Sequence, residues 1–240
     1  GIIPVTKDQE FLARELVRHP GQAVALVAAQ TAQAARAGAR AVRVAAEPVP
    51  GVYDPAAALA PGAPLVHPGR EGGNLLCSQP VIKGDAEAAL AGSAVVVEAL
   101  YTTGRVEHAA LETEGGRAEW RDGKLVVWAC TQNPHYDQAD LALMLGVEPE
   151  RVRVIQAETG GGFGGKLDLS VQFYLALACW HLRRPVRLRY TREESLLATG
   201  KRHPFVMRYT TGADQRGRLT AVKAEILADT GAFASYGLAV

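Results

Sequence analysis

A glycine-rich segment, TGGGFGGK at residues 159–166, is the part of the sequence best suited to chemistry. Five of the six positions between Thr159 and Lys166 are glycine. Glycine has no Cβ, so it adopts positive φ readily and lets backbone N–H groups lie close to an acceptor. An alternating, strand-like segment precedes the loop and an apolar, helix-like segment follows it. At the N-terminus of a helix such amides suit phosphate or oxo groups, because the helix dipole favours negative charge there.

Two nucleotide-binding motifs come close to matching this loop. Gly160, Gly162 and Gly165 satisfy the G-x-G-x-x-G pattern of dinucleotide-binding folds, but no acidic residue ends a following strand about 20 residues later. Residues 160–166 also satisfy the G-x-x-x-x-G-K pattern of a P-loop, yet Leu167 stands where Ser or Thr would bind magnesium. A third interpretation is a glycine turn that only allows a tight crossing from strand to helix. The loop by itself leaves all three open.

The elements that position this loop are predicted from periodicity and turn residues, and they indicate an α+β fold with mixed sheets. Predicted strands lie at residues 22–29, 40–46, 94–102, 124–130, 151–157, 186–190, 205–211 and 218–228. Predicted helices lie at residues 31–39 with Thr31 as N-cap, at 134–146 ending with Gly146, and at 167–182. Gly115 and Gly116 indicate a turn, and the proline-rich residues 48–84 indicate a long connection between two modules.

Composition and charge argue against several classes of protein. Across 240 residues, 26 basic and 25 acidic side chains give a formal net charge of +1, so neither nucleic acid nor an anionic membrane is expected as a partner. Cys77, Cys130 and Cys179 are few and far apart, which indicates a reducing, cytoplasmic compartment rather than a disulfide framework. No apolar run is long enough to span a bilayer. The chain begins without Met, and Val240 directly follows a strand-like pattern, so the sequence is interpreted as a fragment.

Seven segments, one of them the glycine loop, carry a family resemblance. They are EHAALET at 107–113, TQNPHYDQ at 131–138, LGVEPERVRV at 145–154, TGGGFGGK at 159–166, RPVRLRYTREE at 184–194, GKRHPF at 200–205 and DTGAFAS at 229–235. In this order and spacing they resemble the molybdenum-binding subunit of the xanthine dehydrogenase and aldehyde oxidase family of molybdenum hydroxylases. The N-terminal KDQEF and QAVALVAA resemble the later half of the α/β hammerhead module that precedes the molybdenum domain. The resemblance implies a partial hammerhead module at residues 1–60, a connection at 61–90 and the first part of a cofactor-binding domain at 91–240.

The resemblance also implies how a molybdenum-pyranopterin cofactor is bound. In that family the dithiolene of the pterin holds molybdenum, so no side chain is assigned as a metal ligand. By position, Gln132 is expected to hydrogen-bond an oxo ligand of molybdenum. The N–H groups of Phe163 and Gly164 are expected to face the ligands and the pterin, beside Gly161 and Gly162. Taken without the resemblance, Gln132 is more typical of a polar surface turn.

The sequence departs from the family pattern beside the loop. Purine-hydroxylating members carry a glutamate directly after the loop lysine, where it contacts the substrate ring, whereas Leu167 and then Asp168 follow here. Either Asp168 binds the substrate from one residue along, although helical geometry would turn it about 100° from the preceding position, or the pocket is less polar. This departure weakens xanthine as the substrate and leaves other N-heterocycles or aldehydes open. No catalytic residue is assigned, because the family's base glutamate and substrate-binding arginine correspond to positions beyond this sequence. Glu107, His108 and Glu112 are interpreted as structural.

The implied reaction is hydroxylation of an electron-poor carbon, in a purine-like N-heterocycle or in an aldehyde, with oxygen derived from water. Two electrons pass to molybdenum and need an exit. We therefore expect [2Fe–2S] and FAD on partner chains or on missing sequence, together with the remainder of the molybdenum subunit, in a hetero-oligomer. Both the simple pyranopterin and its cytosine dinucleotide form fit these expectations. Two alternatives stay open: a nucleotide-binding module that uses the glycine loop, and an inactive fragment of the hydroxylase subunit.

Overall fold

The computed structural model describes residues 7–239; residues 1–6, which the predicted hammerhead-like module includes, and Val240 lie outside the described part. Its helices are α1 (Ala32–Ala41), α2 (Pro55–Ala58), α3 (Ala86–Ala91), α4 (Pro134–Leu145), α5 (Val171–Leu182) and α6 (Arg192–Ala198). Its strands are β1 (Val95–Thr103), β2 (Gly115–Arg121), β3 (Lys124–Ala129), β4 (Val152–Gln156), β5 (Val186–Arg189), β6 (Phe205–Ala213) and β7 (Leu219–Ala228). The predicted α+β class with mixed sheets is confirmed.

The chain forms two compact units that interleave along the sequence. Within the described residues, the first unit is built from Pro48–Val106 and from the segment that starts at Arg202. The second unit is built from Asp8–Glu47 and Glu107–Lys201, and it contains both Gln132 and the glycine loop. The predicted boundaries near residues 60 and 90 follow composition and family likeness rather than packing, so they stay a prediction.

The second unit is built on a four-stranded mixed sheet in the order β4-β3-β2-β5. β3 runs parallel to β4, whereas β2 is antiparallel to both β3 and β5. Helix α5 packs against β2, β3 and β5, and α4 packs against β4. They bury a shared apolar core: Ala118, Leu125, Val127, Ala129, Leu141, Ala142, Val152, Leu169, Val171, Phe173, Leu175, Ala176 and Cys179. Burial of this apolar surface is the main force that holds the supports of the glycine loop in place.

The first unit is built on an antiparallel three-stranded sheet in the order β1-β6-β7. Helix α3 packs against β6 and β7, and its Glu87 forms an ion pair with Lys223 of β7. Strand register places a row of large apolar side chains on the opposite face of the sheet from Lys223. These side chains are 48% to 56% exposed: Val95, Val97, Tyr101, Val222 and Ile226. This face of the sheet is therefore apolar, and the described residues of this unit leave its side chains about half exposed.

Most elements of the second half match the predictions, because local signals mark their ends. Helix α4 begins at Pro134 and stops at Gly146, whose φ of 65° lies in the left-handed region that glycine adopts without strain. The six strands predicted between residues 94 and 228 are present within two residues of the predicted bounds. The predicted N-cap of α1 is also confirmed, since Thr31 Oγ1 accepts a hydrogen bond from the Ala34 N–H at 3.1 Å.

Three predictions about elements are wrong. Residues 22–29 and 40–46 form no strand, because no segment of the described chain supplies the ladder of hydrogen bonds that a strand needs. The helix predicted from residue 167 starts only at Val171. Gly115 and Gly116, interpreted as a turn, open the unpredicted strand β2. A Cβ on Gly116 would stand 2.4 Å from the Trp128 carbonyl oxygen, so glycine here permits close packing rather than a turn.

Candidate functional site

The glycine loop runs from the end of β4 to the start of α5 as a series of turns and bends. Residues Leu167 to Ser170 separate Lys166 from the helix that begins at Val171. The prediction that the loop amides lie at a helix N-terminus is therefore wrong, because turns and bends separate them from α5. The helical argument about Asp168 does not apply either, because this residue precedes the helix.

Three consecutive amides of the loop have no acceptor among the residues that the structure describes. Within the described chain, the N–H groups of Gly161, Gly162 and Phe163 donate to no other residue. Gly161 and Gly164 have φ of 95° and 90°, and Phe163 has φ of 55°. A left-handed conformation is strained for phenylalanine, and such strain is often found in backbone that meets a ligand. Phe163 is 75% exposed, so core packing does not account for its conformation.

Gln132 contacts this loop from the segment between β3 and α4. Its Oε1 accepts hydrogen bonds from the N–H groups of Gly164 at 3.0 Å and Lys166 at 3.3 Å. Its own N–H donates to the Lys166 carbonyl at 3.0 Å. Because two N–H donors converge on one side-chain atom, that atom is the amide oxygen, and Nε2 is the remaining donor. Nε2 donates to no other residue of the described chain, so it is available to a ligand.

Gly162 allows Gln132 to come this close. Gly162 is buried, and a Cβ at this position would stand 2.4 Å from Gln132 Oε1. The Gly164 N–H donates to Gln132, so the expectation that it faces a bound ligand stays a prediction. The structure thus brings Gln132, Gly161, Gly162 and Phe163 together, while Gly164 supports the side chain of Gln132.

An ion pair joins both ends of the loop to the segment that precedes β2. Lys166 Nζ lies 2.8 Å from Glu112 Oε2, and the Gly160 N–H donates to the same oxygen at 2.9 Å. Burial raises the pKa of the Glu112 carboxyl, but the hydrogen bonds from Lys166 and Gly160, with the positive charges of Lys166 and Arg189, outweigh burial and hold the pKa below its ordinary value. The Lys166 side chain is 1% exposed, so it does not reach an external phosphate as a P-loop lysine does.

The other polar residues of this segment also make contacts inside the unit. A Cβ on Gly165 would stand 2.8 Å from His108 Nδ1, so the imidazole packs directly on the glycine backbone. That Nδ1 is buried and has no hydrogen-bond partner among the described residues. Glu107 forms an ion pair with Lys201. These contacts support the structural interpretation of Glu107, His108 and Glu112.

Asp137, which sequence analysis missed, lies in the first turn of α4 and is fully buried. Its Oδ2 accepts a hydrogen bond from Gln172 Nε2 at 3.1 Å, whereas Oδ1 has no partner within the described residues. Burial raises the pKa of Asp137 to about 6; the charges of Asp140 and Asp168 add to the increase, and hydrogen bonds from Thr131 and Gln172 oppose it. An acidic residue is common near a helix start, so nothing local in the sequence indicates this burial.

Asp168, the candidate substrate contact, is partly buried in the bend that follows the glycine loop. Its Oδ2 lies 3.3 Å from the position that a Cβ on Gly200 would occupy. Asp168 therefore approaches the turn at residue 200, which belongs to the same unit.

Comparison with known proteins identifies the group to which this arrangement belongs. The family described as molybdopterin cofactor-binding domain matches residues 66–240, a range that includes Gln132 and the whole glycine loop. The chain belongs to this family.

Relatives of this molybdopterin-binding chain are longer than the chain itself. It is 42% identical, over 98% of its length, to the nicotinate dehydrogenase large molybdopterin subunit of Eubacterium barkeri, of which it covers 55%. It is 38% identical, again over 98%, to a probable xanthine dehydrogenase subunit of Bacillus subtilis, of which it covers 31%. Among solved structures, the aldehyde oxidoreductase from Desulfovibrio desulfuricans matches with a TM-score of 0.87 and 29% identity, over 91% of this chain and 24% of that one.

The molybdopterin-binding chain offers neither a side-chain metal site nor a membrane-spanning helix among its described residues. Within residues 7–239, no group of three or more His, Cys, Asp or Glu side chains is arranged to hold a metal ion. The same residues include no helix with the length and apolar character required to cross a bilayer. Cys77 is exposed, Cys130 and Cys179 are buried, and all three are free thiols.

Proposed function

We propose that this chain is the cofactor-binding part of a molybdenum hydroxylase, which hydroxylates an N-heterocycle or an aldehyde with oxygen from water. The contact between Gln132 and the glycine loop carries the proposal, because loop N–H groups fix the amide oxygen and leave Nε2 as an oriented donor. With the open N–H groups of Gly161, Gly162 and Phe163, it provides neutral donors for the oxygen atoms of a cofactor. The names of the relatives, a nicotinate dehydrogenase and an aldehyde oxidoreductase among them, support this class of reaction.

These residues fit a molybdenum-pyranopterin. When bound, the cofactor supplies the two-electron oxidation of the substrate carbon. The protein then has to supply donors that hold the cofactor without competing as metal ligands, and an amide with backbone N–H groups meets this requirement. Gln132 Nε2 and the Phe163 N–H are the donors we assign to this role, with Gly161 and Gly162 giving the backbone its close approach. Gly164 serves by anchoring Gln132.

We also infer that the chain works in a cytoplasmic hetero-oligomer with [2Fe–2S] clusters and FAD on partner chains. Oxidation of the substrate releases two electrons, and a [2Fe–2S] cluster is normally held by four cysteines. The sequence has three cysteines, all of them free thiols, and Cys130 and Cys179 are buried. These residues supply no set of four cysteines, so we assign the exit of the electrons to clusters held outside them, and the relatives' greater length supports a molybdenum subunit that extends beyond this chain.

For the substrate, we propose Asp168 as a contact residue, in place of the glutamate that purine-hydroxylating members carry directly after the loop lysine. Leu167 occupies the position after the loop lysine, and Asp168 is the first acidic side chain that follows. Replacing it with Asn is expected to raise KM about tenfold while kcat stays within about twofold, the pattern of a residue that binds without taking part in the reaction. Steady-state kinetics with nicotinate-like heterocycles and with aldehydes measures both quantities. An unchanged KM for every substrate that is turned over would remove Asp168 from the pocket.

The first test of the function is cofactor analysis of the complete molybdenum subunit, purified with its natural partners. We expect molybdenum near one atom per chain by mass spectrometry and a pterin product after acid release, with cytosine nucleotide if the cofactor is the dinucleotide form. A folded wild-type complex that holds no molybdenum would overturn the proposal, and binding of ATP or NAD(H) would then favour a nucleotide site.

Gln132→Ala tests the residue that carries the proposal. Loss of an outer hydrogen-bond donor typically costs about 10- to 100-fold in metal affinity or activity, so a loss of that size is expected here. Gln138→Ala is the matched control, because the Gln138 amide donates to the carbonyls of Pro149 at 3.0 Å and Val152 at 2.8 Å rather than to the loop. Equal molybdenum content and activity in Gln132→Ala and wild type would contradict the assignment.

A further inference from the structure

Lys166 is the only basic residue in the described chain that is buried. Its Nζ lies 2.8 Å from Glu112 Oε2, and its side chain is 1% exposed. A lysine that binds an external anion has to present its ammonium group to solvent or to the ligand. A buried ammonium paired with a carboxylate instead restrains the local backbone, because breaking the pair would leave the charge buried and unpaired, which is strongly unfavourable.

Glu112 contacts both ends of the glycine loop. Its Oε2 accepts from the Gly160 N–H, at the start of the loop, and from Lys166 Nζ, at the end. Its backbone N–H also donates to the Gly160 carbonyl at 3.2 Å. Gly160 has no room for a side chain here, since a Cβ would stand 2.8 Å from the Glu112 Cβ. The loop therefore closes onto one carboxylate oxygen.

The loop has few hydrogen bonds of its own. Between residues 160 and 166 the Gly165 N–H donates to the Gly162 carbonyl at 2.8 Å, and the other loop N–H groups that donate do so to Gln132 or Glu112. Gln132 is proposed to bind the cofactor itself. Glu112 is therefore the residue that holds the glycine loop without a direct role in cofactor binding. Five glycines supply no side-chain packing that would otherwise define the backbone path.

We propose that the ion pair between Lys166 and Glu112 is a brace that holds the glycine loop in its cofactor-binding shape, so that both are positioning residues for the N–H groups of Gly161, Gly162 and Phe163. The effect on the cofactor rests on the proposed function, whereas the effect on the loop does not. In this arrangement the lysine positions the amide donors and does not itself contact the cofactor.

The test is a double-mutant cycle in the complete molybdenum subunit with its partners: Lys166→Met, Glu112→Gln and the double variant. Hydrogen exchange of loop amides is measured by mass spectrometry, and the molybdenum(V) EPR signal is recorded on the same samples. We expect loop amides to exchange about tenfold faster or more in each single variant, because Glu112→Gln leaves the buried Lys166 ammonium without its carboxylate and Lys166→Met removes the group that ties the end of the loop to Glu112. The double variant should exceed neither single variant, since both changes remove the same interaction. The EPR signal should shift in all three variants.

Lys223→Met is the control, because it removes a lysine–glutamate pair with Glu87 in the other compact unit. It should leave loop exchange and the EPR signal at wild-type values. Loop exchange within about twofold of wild type in Lys166→Met, or additive effects in the double variant, would overturn the brace. If Lys166→Met does not fold, Glu112→Gln against the double variant decides the same point. A wild-type complex without molybdenum would overturn the proposed function alone, because the exchange comparison needs no cofactor.

Discussion

At the scale of single residues, the polar groups next to the glycine loop differ in how fully their hydrogen bonds are satisfied. Gln132 Oε1 has two N–H donors, and Glu112 Oε2 has a cation and an N–H group. Asp137 is less well satisfied, because only its Oδ2 has a partner in the described chain. Burying an ionised carboxylate without full compensation costs free energy. Thr131 donates a hydrogen bond to this carboxylate and directly precedes Gln132 in the chain. The free-energy cost of burying Asp137 therefore arises next to the site.

Asp137→Asn is expected to remove a pH dependence of folding stability. Burial raises the pKa of Asp137 to about 6 in the folded chain, against about 3.9 in an unfolded one. The folded state therefore binds the extra proton between about pH 4 and pH 6, so the free energy of unfolding falls as the pH rises through this range. A pKa difference of about two corresponds to about 3 kcal/mol. Urea unfolding of both proteins from pH 4 to pH 7 measures the effect, and a constant wild-type-minus-variant difference would contradict it.

At the scale of elements, the loop between β4 and α5 depends on glycines that permit contacts as well as turns. A Cβ on Gly160, Gly162 or Gly165 would stand within 2.8 Å of Glu112, Gln132 or His108 respectively. Each of these side chains comes from a different position outside the loop, so the loop is packed between neighbours. Any side chain added at one of the three glycines has to displace the neighbour it meets.

Gly162→Ala is expected to displace Gln132 and weaken cofactor binding. The added Cβ would stand 2.4 Å from Gln132 Oε1, so the hydrogen bonds from Gly164 and Lys166 would be lost. Molybdenum content and activity should fall by about tenfold or more. The matched control is Gly104→Ala, where the added Cβ meets open space. Similar molybdenum content in the two variants would show that the Gln132 contact is dispensable.

Local sequence signals predict elements well where an element is defined by its own residues. Pro134 and Gly146 mark α4 at both ends, and the alternating strands of the second half lie where the alternation predicts them. Residues 22–29 show the limit, because an apolar run becomes a strand only if another segment supplies hydrogen bonds. In the site, family resemblance led to Gln132 and the glycine loop. It did not reveal the ion pair between Glu112 and Lys166, since no local pattern indicates which distant residues meet.

At the scale of the whole molecule, apolar burial is concentrated in one unit. Of the buried apolar side chains in the described residues, only Leu90 and Ala234 belong to the first unit. The core of the second unit centres on β3, whose Leu125 and Val127 are completely buried. The unit that contains the candidate site is therefore the one with the stronger apolar core.

Leu125→Ala is expected to destabilise the chain by about 2 to 5 kcal/mol, because it removes a buried side chain and leaves a cavity in a packed core. Leu111→Ala is the matched control: Leu111 is 92% exposed, so its loss should change the free energy of unfolding by less than about 0.5 kcal/mol. Denaturant unfolding monitored by circular dichroism measures both changes. Equal effects of the two substitutions would contradict the assignment of the core.

The interleaving of the two units has a consequence for the order in which a ribosome can build them. β1 pairs with β6, and Thr103 of β1 lies opposite Phe205 of β6, so this pairing cannot form until Phe205 has been synthesised. The whole segment Glu107–Lys201 is synthesised between the two strands. That segment carries all four strands of the second sheet, together with α4 and α5, and can complete that sheet first. Until β6 emerges, β1 remains an unpaired strand with Val95, Val97 and Tyr101 facing solvent or a chaperone. The nascent chain is therefore most prone to aggregate after the site's own scaffold has formed and before the first sheet has closed.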